Sequence, residues 1–202
     1  MKVTTLFTIL IASAALYSCG SSSTTTSETS DSTSTGTYSV LTDSSAVAWK
    51  GSMVGMYSHN GLINLSEGSL SLSDGKLAGG SFVVDLKTIN PLDSGYSAEH
   101  PKEGLIGHLA APDFFASDSF PTAKFVVKSV EGTTAIGDLT VRGVTNEEKV
   151  TDIVLTTDET SATASGKLVF NRQKYGVAYK STMKDMVLSD DIELAISLVG
   201  KK

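Results

Sequence analysis

Cysteine occurs once in the 202 residues, at Cys19, which excludes an intramolecular disulfide and a cysteine-rich zinc site. Basic residues are also scarce. Sixteen Lys plus Arg stand against 22 Asp plus Glu, a net charge of -6 that lacks the electrostatic footprint of a nucleic-acid binder. No apolar run reaches the roughly 20 residues that a membrane-spanning helix needs. Gly-x-Ser-x-Gly, a Walker-type glycine loop, Gly-x-Gly-x-x-Gly and His-Glu-x-x-His are all missing, so the common nucleophilic, phosphate-binding and zinc-peptidase chemistries have no carrier. The length suits one globular domain with tails and not two large domains.

The N-terminus reads as a targeting segment. Met1 and Lys2 give a short positive start, and Val3 to Tyr17 form an apolar stretch too short to span a bilayer, as in a secretory signal. Its end, Leu16-Tyr17-Ser18-Cys19, resembles the bacterial lipoprotein box, in which the cysteine is acylated and becomes the new N-terminus. That resemblance implies lipidation at Cys19 and attachment to a membrane of the bacterial cell envelope. From Gly20 to Thr37 every residue is Ser, Thr or Gly apart from Glu28 and Asp31, a composition that cannot bury enough apolar area to offset its ordering entropy. A flexible tether of that length spans roughly 20 to 25 Å. The expected division is a signal peptide over 1–18, a lipidated cysteine and flexible linker over 19–37, and a folded domain over 38–202.

Within the domain, period-two alternation appears in Ala46 to Gly51, Ser81 to Leu86, Ala123 to Val130, Ile136 to Gly143, Lys149 to Thr157, Thr163 to Arg172 and Ile192 to Val199. Phe82, Val84 and Leu86 share one face, as do Ile192, Leu194, Ile196 and Leu198. Turn signals at Ser73-Asp74-Gly75, Glu131-Gly132 and Arg142-Gly143 fall at short spacings, which predicts an antiparallel meander. A closed barrel is expected, because closure removes the exposed edges of so large a sheet.

All four prolines lie between Pro91 and Pro121, so no strand should survive there. Lys102 to Ala111 can form a short helix with Leu105, Ile106 and Leu109 on one side, followed by Phe114 and Phe115. This insertion, near residues 88–121, suits the mouth of a barrel, either as a core plug or as a ligand gate.

Gly107-His108-Leu109, Asp113-Phe114-Phe115, Phe120-Pro121-Thr122-Ala123-Lys124-Phe125 and Gly137-Asp138-Leu139-Thr140-Val141-Arg142-Gly143-Val144-Thr145 resemble the signature segments of the YceI-like family. Trp49-Lys50-Gly51, His59-Asn60-Gly61, Gly80 to Asp85 and Asn171 to Val177 extend the resemblance over nearly all of Tyr38 to Val199. It implies a mainly β fold, a lipocalin-like antiparallel barrel of about eight strands, whose apolar interior takes an isoprenoid or another long-chain amphiphile. Ala116 and Asn171 stand where the family often has acidic residues.

The ligand-binding residues expected on strands are Trp49, Phe82, Val84, Phe125, Val127, Leu139, Val141 and Phe170, with Leu105, Leu109, Phe114 and Phe115 at the mouth. Ala48, Gly80, Ala164 and Gly166 suggest room inside. His59, His100 and His108 with Asp113 or Glu103 are candidate metal ligands, and His108 with Asp113 a candidate acid and base pair. Their spacing suits neither, so no catalytic residue, metal or cofactor is expected. Arg142 and Arg172 are read as solvated or structural rather than as headgroup ligands. The expected partners are a long-chain isoprenoid or other amphiphilic lipid and the membrane through acylated Cys19, with no nucleic acid and a homodimer left open. The alternative function is a surface stress-response or interaction module that uses a filled barrel as scaffold.

Overall fold

Residues 34–180 and 187–202 are described by a computed structural model. The signal segment, Cys19 and most of the linker lie outside the described residues. The strands are β1 (Gly36–Val40), β2 (Ala46–Met53), β3 (Tyr57–Ile63), β4 (Leu65–Ser73), β5 (Lys76–Asp85), β6 (Asn90–Pro91), β7 (Thr122–Glu131), β8 (Thr134–Val141), β9 (Val144–Thr157), β10 (Ser161–Asn171) and β11 (Leu188–Lys201), with helix α1 (Lys102–Ala110) between β6 and β7.

Eight antiparallel walls close into a barrel. A turn at Thr42–Ser44 divides one wall into β1 and β2, and Asn64 divides the next into β3 and β4. The sheet then runs through β5, β7, β8, β9 and β10 to β11, which returns to β1 at Ser39↔Lys201 and Val40↔Gly200 and to β2 from Met53↔Leu188 to Ala46↔Ser197. Every wall pairs with its neighbour in the chain, as a meander requires. Two of the expected turns show the backbone that short hairpins favour. Asp74 and Gly75 have φ of 50° and 70°, and Arg142 and Gly143 of 52° and 73°, the paired positive values whose twist matches that of the flanking strands.

The seven alternating segments coincide with strands except at the ends, where Leu86, Arg142, Gly143 and Arg172 lie beyond them, but β1, β3, β4 and β6 were not among them. β6 pairs Pro91 with Gly61, so a two-residue edge strand does reach the first proline where none was expected. The outward positions of β1, β3 and β4 mix Ser, Thr and Asn with Leu62 and Glu67, and Gly61 and Gly68 stand among the inward ones, which weakens the contrast between faces. The ordered chain also starts before Tyr38: Ser34 is buried and its hydroxyl donates to the Asp158 carbonyl at 3.0 Å, so the last residues assigned to the linker belong to the folded domain.

One end of the barrel is packed shut. Tyr38, Leu70, Ala162 and Ala135 are almost wholly buried there, and Lys202 N–H donates to the Thr160 carbonyl at 2.9 Å. The other end receives the β2–β3 hairpin, the insertion between β5 and β7, and the connection from β10 to β11.

Candidate functional site

Between the shut end and the insertion lies a cavity of about 380 Å3. That volume falls within the range of about 300 to 1,000 Å3 typical of small-molecule pockets. Its wall follows from the strand period. On β11 Ile192, Leu194, Ile196 and Leu198 all face inward, and on β5 Phe82 and Val84 do so, followed by Leu86. A register shift in β9 at Asp152, whose φ is 54°, lets Val150 and Ile153 both reach the cavity although they are three residues apart.

All twelve residues expected to contact a ligand line this cavity: Trp49, Phe82, Val84, Phe125, Val127, Leu139, Val141 and Phe170 from the strands, and Leu105, Leu109, Phe114 and Phe115 from the insertion. Ala164 and Gly166 line it too, whereas Ala48 lies on the outward face of β2, because Val47 and Trp49 take the inward one. The space beside Gly80 is filled by the Phe82 ring, which a Cβ would meet at 2.8 Å.

The insertion covers the open end through aromatic packing. Phe114 is 4% exposed and meets Phe115 edge-on at 4.9 Å, His108 at 5.3 Å and Tyr179 at 6.0 Å. Helix α1 places Leu105 and Leu109 beside them, four residues apart on one face, while Ile106 points elsewhere. Arg142, from the β8–β9 turn, donates to the Phe114 carbonyl.

The two arginines are structural. Arg172 is 2% exposed and its guanidinium donates to the carbonyls of Val177 at 2.6 Å, Ser189 at 2.9 Å and Tyr179 at 3.0 Å, and to Asp190 at 3.1 Å. Burial pushes its pKa down, opposed by the charge of Asp190. It thereby ties the connection after β10 to the start of β11. Tyr175, fully buried, donates to Glu148 at 3.1 Å, and burial followed by the Glu148 charge pushes its hydroxyl pKa up.

The candidate pairing of His108 with Asp113 does not form. The His108 ring packs on Tyr179 at 4.4 Å, and Asp113 is exposed. His100 is exposed as well, and no group of three metal-ligating side chains gathers among the described residues. A different couple does form: His59 Nδ1 lies 2.7 Å from Asp93 Oδ2, and His59 lines the cavity. Asp93, 34 residues away, carried no sequence signal, although the parity of Tyr57, His59 and Ile63 on β3 turns the histidine inward.

A family profile described as a YceI-like domain matches residues 38–200. A UPF0312 protein of Staphylococcus aureus (strain USA300) is 33% identical over 104 residues, or 47% of this chain and 60% of the relative. The chain thus spans 60% of the length of the curated relatives it matches. Among solved structures, Burkholderia cenocepacia BcnA aligns with a TM-score of 0.63 at 17% identity, covering 79% of this chain and 98% of that one. A polyisoprenoid binding domain from Saccharophagus degradans implicated in plant cell wall breakdown aligns with a TM-score of 0.58 at 14% identity, covering 81% and 97%. These two likenesses establish a shared barrel fold.

Proposed function

The chain belongs to the YceI-like family, and from that premise we propose that it binds or carries a hydrophobic chain, a polyisoprenoid or related amphiphilic lipid, inside its barrel. The observation that carries this reading is the apolar cavity of about 380 Å3. A scaffold module needs only a filled barrel, so the open interior supports the binder over that alternative. The neighbour from Saccharophagus degradans, described as a polyisoprenoid binding domain, supports the same ligand class.

The mechanism is transfer of apolar surface from water into a preformed dry site, so binding needs no reactive residue. A chain burying about 400 Å2 gains roughly 10 kcal/mol, from which ordering and association costs are subtracted. Cys19 is the proposed acylation site, which holds the barrel to a membrane of the cell envelope through its Ser/Thr-rich tether.

Mass spectrometry of lipid extracted from natively purified protein tests the binding: one prenyl or acyl species near stoichiometric amount is expected. Protein that holds no lipid and takes up no fluorescent long-chain probe refutes it. Cys19→Ala tests the anchor separately, by moving the protein from the membrane to the soluble fraction with its barrel intact. Wild-type protein that is exported, soluble and free of acyl mass overturns the anchor alone.

A further inference from the structure

Asp93 uses both carboxylate oxygens. His59 Nδ1 and the Tyr96 hydroxyl meet Oδ2 at 2.7 and 3.0 Å, and the Asn60 backbone N–H donates to Oδ1 at 3.3 Å. Burial pushes the Asp93 pKa up, but these hydrogen bonds together hold it below its ordinary value of 3.8. The carboxylate is therefore ionised at neutral pH and only accepts, which puts the shared proton on Nδ1 and makes Nε2 the ring nitrogen left for a ligand.

The imidazole is fixed from several directions. Tyr57 meets it edge-on at 5.3 Å and Tyr96 stacks at 6.5 Å. The segment that brings Asp93 is pressed onto β3 at Gly61, where a Cβ would collide with the Asn90 carbonyl oxygen, so only glycine allows that approach. Among the described residues Nε2 forms no hydrogen bond, although His59 lies on the wall of a mostly apolar cavity whose few other polar side chains include His108, Lys124 and Ser165. With its side chain 33% exposed, His59 stands at the rim of the cavity, where a polar group can fix a ligand's head while the pocket holds its body.

We infer that His59 Nε2 recognises the head of the bound amphiphile and that this head is protic, a hydroxyl or an acid whose O–H donates to Nε2. This rests on the lipid-binding reading above. An alcohol keeps its proton in that hydrogen bond, whereas an acid passes the proton to Nε2 and stays as an oxyanion beside the imidazolium. Asp93 is the positioning residue, because it sets which ring nitrogen is free.

Two probe pairs test the inference on the purified full chain. Parinaric acid and its methyl ester are followed by fluorescence, and farnesol and its methyl ether by displacement of the bound ester. The wild type should prefer the protic member of at least one pair by about tenfold, the worth of one well-oriented hydrogen bond to a polarised acceptor. The pair that shows the preference tells an acid head from an alcohol head. His59→Leu should bring the ratio to about one. Asp93→Asn, which keeps the imidazole but not the enforced proton position, should also reduce the ratio. No protic preference in the wild type, a preference that survives in His59→Leu, or a ratio unchanged in Asp93→Asn overturns the inference. Ester and ether binding without discrimination sinks only this inference. Failure of every probe to bind sinks the lipid-binding reading with it.

Discussion

Arg142 reaches across 28 residues of sequence to donate to the carbonyl of Phe114. The arginine sits at φ 52°, a backbone region costly for a residue with a Cβ, in the hairpin turn between β8 and β9. The rigid side of the barrel thus holds the segment that covers its mouth.

Removing that hold should loosen the cover more than the barrel. For Arg142→Ala we expect a loss of about 1 to 2 kcal/mol in urea denaturation, the size of one hydrogen bond from a charged donor. Release of a long-chain fluorescent probe should speed up several-fold beyond what that loss explains. Unchanged release with normal folding would mean that the tie carries no gating load.

Phe114 and Phe115 should part company. Phe114, 4% exposed and surrounded by rings, should cost about 3 to 5 kcal/mol when truncated to Ala. Phe115 is half-buried against the cavity, so Phe115→Ala should cost less stability and accelerate probe release more. A similar loss of apo stability in both variants, with release unchanged in both, would make the pair a plain core plug.

Arg172→Leu should be among the most damaging single changes. It leaves the carbonyls of Val177, Tyr179 and Ser189 without their donor in a buried place, at a cost of about 3 kcal/mol or more. Arg172→Lys should recover only part of this, because an ammonium cannot span the fork that the guanidinium fills. Thermal midpoints of the two variants decide it, and a Lys variant equal to wild type would contradict the multidentate role.

Acid should reveal Asp158. Its side chain accepts from the Ser161 hydroxyl at 2.5 Å, from Thr160 N–H at 2.8 Å and from Ser161 N–H at 2.7 Å, which depresses its pKa from 3.8 to about 2. A depressed carboxylate contributes stability that is present above 3.8 and lost as the pH falls through about 2. Urea midpoints measured across that window should therefore fall more steeply for wild type than for Asp158→Asn. Parallel acid limbs would refute the assignment.

The barrel was legible because its inward residues alternate strictly where both faces differ, as on β10 and β11. It faded where Ser and Gly stand on both faces, as in Leu65-Ser66-Glu67-Gly68-Ser69, and where a bulge resets the parity. The apolar lining was legible for the same reason as the strands. Asp93 was not, because its partner sits on another element and nothing local marks it. Ala116, noted only as a departure from the family's pattern, has φ 49°, a conformation invisible to any periodicity. Arg142 and Arg172 could be read as structural but not assigned their acceptors, which lie 28 residues away for the first and on both flanks of a connection for the second.

The ring is completed by its first and last strands, β1 and β11, at Ser39↔Lys201 and Val40↔Gly200, and β2 leans on the same final strand. In time, this makes closure the last event. Hairpins such as β7–β8 and β9–β10 join neighbours and can assemble early, but the join between β1 and β11 must wait for almost the whole chain. Until β11 arrives, the sheet has two bare edges and no enclosed interior. A chain that emerges N-terminus first therefore acquires its inside only with β11, fourteen residues long.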